Sequence, residues 1–151
     1  MNMPTKKKTL VIGLVTLSLA AGIAGYLIPK PPETRFVERW HVDVNETLAA
    51  DSEFNSLDSE AQLALRVVTQ KALEGQRYEF TADGLLLFGQ EGQLLPIARY
   101  SIDSVMEHGV SLTLDYLGLR EGLSETAELE YSSLKGLTLR RGSHTTVLMQ
   151  D

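Results

Sequence analysis

Twenty consecutive residues without a charged side chain, residues 9–28, divide this chain into two unequal parts. A helix of that length is about 30 Å long, which matches the hydrocarbon thickness of a bilayer. Lys6, Lys7 and Lys8 stand directly before the stretch, with no acidic residue among them. Because cytoplasmic flanks carry the excess of lysine and arginine, the sequence predicts a basic cytoplasmic tail (residues 1–8), a single-pass signal-anchor helix (residues 9–28) and a domain outside the cytoplasm.

A cleaved secretory signal is the alternative, and it would deliver the domain to the same compartment. Small residues at 18–20 and 22–24 offer the spacing that a signal peptidase needs. The apolar run is longer than the roughly 7–15 residues of a usual signal core, and this length favours an uncleaved anchor. We therefore expect a protein of the inner (cytoplasmic) membrane whose domain lies in the periplasm or the extracellular space, with the lipid bilayer as its partner through residues 9–28.

The charge and the cysteine count limit the function of the domain. Residues 33–151 hold 10 Lys and Arg against 20 Asp and Glu, a formal charge of −10. An acidic domain repels nucleic acid, so we expect no nucleic-acid partner. The chain has no cysteine, which excludes disulfides and thiolate chemistry. The 119 residues that follow Pro32 suffice for one domain with its own core.

After a Pro-rich linker (residues 29–35), the chain shows one helical pattern inside a series of strand patterns. Apolar residues at helical spacing predict one amphipathic helix with an apolar stripe that packs on the sheet: Leu57, Ala61, Ala64, Leu65, Val68 and Ala72. Ser59 followed by Gln62 predicts a capping box at its start, and Gly75 stands where it would end.

Alternation with a period of two precedes this helix and resumes after Gly75. Asp83-Gly84 predicts a tight hairpin, Pro96 predicts an edge or a bulge, and Val147 and Met149 mark the last strand. The fold expected for residues 36–151 is mainly β (α+β). It is an antiparallel up-and-down β-barrel or curved sheet of seven or eight strands with one amphipathic helix after the first strand.

Aromatic residues recur on the faces of the strands that are predicted to point inward. They are Trp40, Tyr78, Phe80, Tyr100, Tyr116 and Tyr131. Packing in the core is the ordinary role of such side chains. If the sheet encloses a cavity, the same residues would line it, and the tyrosine hydroxyls would supply the few polar groups of a site for a small apolar ligand.

No set of residues in the sequence indicates a reaction. His41 and Asp43 lie on one face of the first strand, but no cysteine and no His spacing typical of a metal site accompanies them. Ser132 and Lys135 match the SxxK pattern of serine–lysine enzymes without the further motifs that those enzymes need. We therefore expect no catalytic residue, no metal and no cofactor.

The order of motifs resembles that of the small lipocalin-like (calycin-type) domains of bacterial exported proteins. Residues 40–43 read Trp-x-Val-Asp, residues 78–84 read YEFTADG, residues 137–142 read LTLRRG and residues 146–148 read TVL. The resemblance covers about residues 36–150. It implies an up-and-down antiparallel barrel or a strongly curved sheet, often with an interior cavity, and no enzymatic activity.

These observations lead to one expected function and one alternative. The first is a membrane-anchored, non-enzymatic binding or accessory protein outside the cytoplasm, for a small apolar ligand or for an envelope partner. The alternative is a structural or assembly subunit of a membrane protein complex, held there by its N-terminal helix.

Overall fold

The computed structural model describes residues 30–132 and 136–150. The predicted anchor helix at residues 9–28 and the basic tail before it lie outside the described residues. Within the described part of the chain, no helix combines the length and the apolar character that are needed to cross a bilayer.

In the described residues, the helices lie at the start of the domain on either side of the first strand. The other strands follow them, with a short 3₁₀ turn at Gly118–Arg120 between two of these strands. In chain order, the helices and strands of the described residues are α1 (Pro32–Arg35), β1 (Arg39–Val42), α2 (Val44–Ala49), α3 (Ser52–Ser56), α4 (Ser59–Leu73), β2 (Gln76–Phe80), β3 (Leu85–Gln90), β4 (Gln93–Met106), β5 (Gly109–Tyr116), β6 (Ser124–Tyr131), β7 (Gly136–Arg141) and β8 (His144–Gln150).

The eight strands form a closed antiparallel barrel in which each strand pairs with the next along the chain. The barrel closes between β1 and β8, where Trp40 lies opposite Gln150. The predicted up-and-down β-barrel is confirmed, with eight strands. Closure leaves no free sheet edge, so every strand has two hydrogen-bonding neighbours.

Local turn chemistry sets the links between strands. Gly84 ends the turn between β2 and β3 with a φ of +86°, a conformation that glycine adopts without strain. The predicted hairpin at Asp83-Gly84 is confirmed. The register of β3 on β4 shifts between Leu86, which pairs with Ala98, and Leu87, which pairs with Pro96. This is the predicted bulge, and it lies beside a proline that has no N–H to donate to a ladder.

The two ends of the barrel differ in what covers them. At the end where β1 stops, the chain continues into α2, α3 and α4, and we call this the helical end. The opposite end receives α1 and the residues that lead into β1, and we call it the entry end. The β2–β3 and β4–β5 hairpins turn at the entry end.

The helical part of the fold departs from the prediction in three ways. Three helices, rather than one, follow β1. The cap of α4 is Asp58, whose carboxylate accepts from the backbone N–H of Ala61, so the capping box predicted at Ser59 is wrong by one residue. No residue of α4 is buried, and the predicted apolar stripe does not face the sheet.

Contacts on the other side of α4 explain this orientation. Gln62 Nε2 donates to the carbonyl oxygens of Phe54 and Leu57, and Arg66 Nη1 donates to Asn45 Oδ1 at 2.6 Å. Leu73, near the end of the helix, packs against the barrel core. Because side chains of the strands already fill the barrel, α4 is held outside it by this mainly polar side.

Candidate functional site

The structure brings all six predicted aromatic residues together in and around one core cluster. Trp40, Tyr78, Phe80 and Tyr116 are buried, whereas Tyr100 and Tyr131 are half-buried and pack against the cluster. Leucine, valine and alanine side chains fill the space between them, and most of these are fully buried. An eight-stranded barrel is only wide enough for its own side chains or one small ligand, and here side chains occupy the interior.

Three aromatic rings close the interior at the entry end. Phe36 packs edge-to-face on Phe80 and Tyr100 with centroid distances of 5.3 and 5.5 Å, and Phe80 lies 5.7 Å from Tyr100. Trp40 Nε1 donates to the carbonyl oxygen of Phe36 at 2.9 Å, which fixes the chain just before β1. Phe36 is fully buried, although it lies outside β1.

Tyr131 joins the N-terminal residues of the domain to this end. Its hydroxyl donates to the carbonyl oxygen of Pro32, and the Arg35 guanidinium lies 4.6 Å from the centre of its ring. Burial raises the pKa of Tyr131 to about 12, against the opposing effect of the nearby Arg35 charge. The phenol therefore stays neutral at physiological pH and serves as a hydrogen-bond donor that ties α1 to β6.

A polar cluster lies at the helical end of the barrel. The Tyr116 hydroxyl donates to the Glu125 carboxylate and accepts from Arg141 Nη1 at 3.3 Å. Arg141 also lies 4.0 Å from Glu125, and Arg120 stacks over the Tyr116 ring at 5.4 Å. Burial raises the pKa of Tyr78 and Tyr116, so both phenols remain protonated beside the guanidinium.

Sequence reasoning missed Glu125 and Arg141 because they come from different strands. The pairing of β6 with β7 brings them to the same end of the barrel, and only the register shows this. Glu125 and Arg141 contact each other and the Tyr116 hydroxyl, and Arg120 contacts the face of the Tyr116 ring. The arrangement is a network of hydrogen bonds and charge contacts that holds Tyr116 in place.

The hollows on the surface of the described part of the domain include one beside α4 and one beside the β4–β5 turn. One, of about 320 Å³, lies between β1, β2 and the end of α4, and its lining includes His41, Asp43 and Glu74. The Asp43 carboxylate caps α2 by accepting from the backbone N–H of Glu46 at 3.0 Å. In residues 30–132 and 136–150, no group of three or more His, Cys, Asp or Glu side chains is placed to hold a metal ion.

The second hollow, of about 290 Å³, lies beside the β4–β5 turn, with Met106 and His108 in its lining. Its charged residues, Glu130 and Arg140, form an ion pair at 2.8 Å. Both side chains of this ion pair are about half exposed, so the hollow is part of the solvent-facing surface of the barrel.

Several large apolar side chains are exposed on the outer side of α4. Leu63 and Val68 are each 64% exposed and Val67 is 48% exposed. We call this surface the apolar face of α4, and its residues, all exposed, are Leu63, Ala64, Leu65, Val67, Val68 and Ala72. Contiguous apolar patches of this kind mark sites of interaction with proteins or membranes. The sequence contained this signal as the apolar stripe, but the direction of the stripe was predicted wrongly.

Comparison with known proteins gives no match, whether with protein-family models, curated proteins or solved structures.

Proposed function

We propose that this protein is a non-enzymatic accessory protein of the cell envelope that binds another protein through the apolar face of α4. In this proposal, residues 9–28 hold the chain in the inner membrane, and the barrel projects outside the cytoplasm as a rigid support for the helix. The barrel would belong to the lipocalin-like type that the order of motifs suggests, with its interior used for stability rather than for a ligand.

The observation that carries the proposal is a contrast in burial between two sets of apolar side chains. Barrel residues such as Leu112 and Leu139 are fully buried, whereas Leu63 and Val68 on α4 are mostly exposed. Burial of a leucine or valine side chain is worth about 1.5–3 kcal/mol. Several such side chains on one helix face therefore provide a driving force for association that folding has not used.

A protein partner accounts for this surface better than the small apolar ligand that the aromatic residues suggested. The six aromatic side chains pack against one another and against aliphatic neighbours inside the barrel. A convex helix surface gives no concave wall to a small molecule, which usually needs a cleft that buries most of its surface. A second helix or a flat protein surface can cover such a face, as in recognition through apolar positions at i, i+3, i+4 and i+7.

Photo-crosslinking in cells tests the proposal. A photoreactive amino acid replaces Val68 in the full-length chain, and in a matched control it replaces Val105, which is 53% exposed on the barrel. We expect Val68 to give a discrete protein adduct at a yield at least tenfold above that of Val105 (a difference of about 1.4 kcal/mol in occupancy). Absence of an adduct at Val68, or equal adducts at both positions, would overturn the proposal.

A further inference from the structure

We infer that the partner on the apolar face of α4 is a second copy of this chain, whose own α4 packs against it in the antiparallel direction. This inference rests on the proposed function, because it names the protein that covers the same face. Two charged residues that interrupt the apolar face indicate this partner.

Glu60 and Lys71 lie on the same side of α4 as the apolar residues. Eleven residues are slightly more than three turns of a helix, so the two side chains are nearly in line, with Ala64, Val67 and Val68 between them. Neither Glu60 nor Lys71 has an ion-pair partner within residues 30–132 and 136–150. Among the described residues, the face thus carries a negative charge without an ion-pair partner near its beginning and a positive charge without one near its end.

This charge pattern is complementary to itself in one direction only. When two copies pair antiparallel about a two-fold axis midway between the charges, each Glu60 faces the Lys71 of the other copy. A parallel pair would place Glu60 against Glu60 and Lys71 against Lys71, and like charges destabilise helix pairs. A heterologous partner would need its own matching charges, whereas a second copy supplies them without any further requirement.

Small residues allow the helices to approach in this arrangement. Ala61, Ala64 and Val68 recur within α4 at intervals of three and four residues, which is the spacing of a coiled-coil seam. Ala64 lies beside the proposed two-fold axis and puts only a methyl group between the backbones. Larger apolar side chains, such as Leu65 and Val67, would flank the seam and cover it.

The small size of the face implies a weak dimer, which forms only when both chains are held in the same membrane. A helix of 15 residues is about 22 Å long, so the buried area is a few hundred Å² per copy, below the roughly 800 Å² per partner of a standard interface. Two chains held in one membrane have a far higher effective concentration than two chains in solution. We therefore expect dimers in the membrane and mostly monomers after dilution in detergent.

Disulfide crosslinking is a direct test, because the chain has no cysteine of its own. Ala64→Cys and Ala72→Cys are matched variants, since both alanines are exposed on the same face. In the antiparallel pair, the two copies of residue 64 are within about 5 Å of each other along the helix axis, whereas the two copies of residue 72 are about 20 Å apart. After mild oxidation of membranes that contain the full-length protein, we expect a covalent dimer from Ala64→Cys and at least tenfold less from Ala72→Cys.

Charge reversal adds a second measurement on the Ala64→Cys background. Glu60→Lys alone and Lys71→Glu alone each create like-charge contacts and should lower the dimer yield several-fold. The double variant exchanges the charges and should restore the yield. Equal or stronger crosslinking by Ala72→Cys, or no recovery in the double variant, would overturn the antiparallel pair.

The outcomes also separate this inference from the proposed function. If neither cysteine variant forms a dimer while Val68 photo-crosslinks to a protein of different mass, the second copy is excluded and the accessory function stands. If Val68 gives no adduct and neither cysteine crosslinks, both proposals are wrong.

Discussion

The barrel interior and the outer side of α4 contain the same kinds of side chain in opposite environments. Leu112 and Leu139 are completely buried among the strands, whereas Leu63 and Val68 are mostly exposed on the helix. Both regions show a clear apolar period in the sequence, of two residues in the strands and of about 3.6 in the helix. A periodic apolar stripe therefore indicates that another surface must cover it, but it does not indicate whether that surface belongs to the same chain.

The two regions also differ in how they are held. The interior is stabilised by burial and by edge-to-face aromatic contacts such as Phe36 on Phe80. Helix α4 is held by a cap at Asp58 and by side-chain hydrogen bonds from Gln62 and Arg66. Substitutions in the interior should therefore change the stability of the domain far more than substitutions on the outer side of α4.

Leu139→Ala should destabilise the domain by about 2–5 kcal/mol, because it leaves a cavity in a fully buried site. Chemical unfolding followed by the fluorescence of Trp40, the only tryptophan, measures this change in the free energy of unfolding. Leu63→Ala is the matched control on α4 and should change it by less than about 0.5 kcal/mol. Similar losses in both variants would show that the two regions do not differ as described.

High pH should destabilise the interior without a direct effect on α4. The pKa of Tyr131 is raised to about 12 in the folded chain, from an ordinary value of 10.0, and burial also raises those of Tyr78, Tyr100 and Tyr116. The unfolded chain therefore loses these protons first as the pH rises. The stability that they confer is complete below pH 10 and is lost as the pH rises towards 12.

Unfolding at pH 8 and at pH 11, together with absorbance titration of the phenols, measures this loss. Tyr131→Phe removes one of the four groups and should make the dependence on pH shallower. A free energy of unfolding that stays constant through pH 11 would contradict the burial of these hydroxyls.

Asp58→Ala should cost about 1 kcal/mol, because the Asp58 carboxylate accepts from the Ala61 N–H at the start of α4. Ser59→Ala is the control, since Ser59 is the first residue inside the helix rather than its cap. The difference between the two variants in circular dichroism and unfolding measures the cap. A larger cost from Ser59→Ala would return the cap to the residue that the sequence pattern suggested.

Val68→Ala should leave the domain as stable as before or stabilise it by up to about 0.5 kcal/mol, because alanine has the higher helix propensity and Val68 is 64% exposed. If the apolar stripe packed on the barrel, the same substitution would instead destabilise the domain by about 1–3 kcal/mol. Unfolding of the monomer in dilute detergent distinguishes the two results by their sign.

The sequence predicts the buried face of a strand only where apolar and polar residues alternate clearly. In β5, Val110, Leu112 and Leu114 alternate with polar residues, and all three are buried as expected. In β8 the run from Val147 to Met149 is continuous and apolar, so the pattern does not set its face. The sequence suggested Val147 and Met149, but the structure buries Leu148 and leaves its neighbours half-buried.

The candidate surface was predictable in its residues but not in its direction. Ala64, Leu65 and Val68 appear in the predicted stripe, because helical spacing depends on local sequence alone. The side of α4 that meets the rest of the domain depends on Gln62 and Arg66, whose acceptors lie in α3, in the turn before α4 and in α2. The six aromatic residues were correctly expected on inner faces, and their role as a ligand site stays a prediction.

Maleimide labelling of single cysteines in native membranes measures whether another protein covers the apolar face of α4. Val68→Cys is compared with Val105→Cys, which lies on the exposed β4–β5 hairpin. We predict that Val68→Cys is labelled at least tenfold more slowly than Val105→Cys in the membrane, and at a similar rate after dilution into detergent. Equal labelling rates in the membrane would show that the face is open to solvent and would contradict the account.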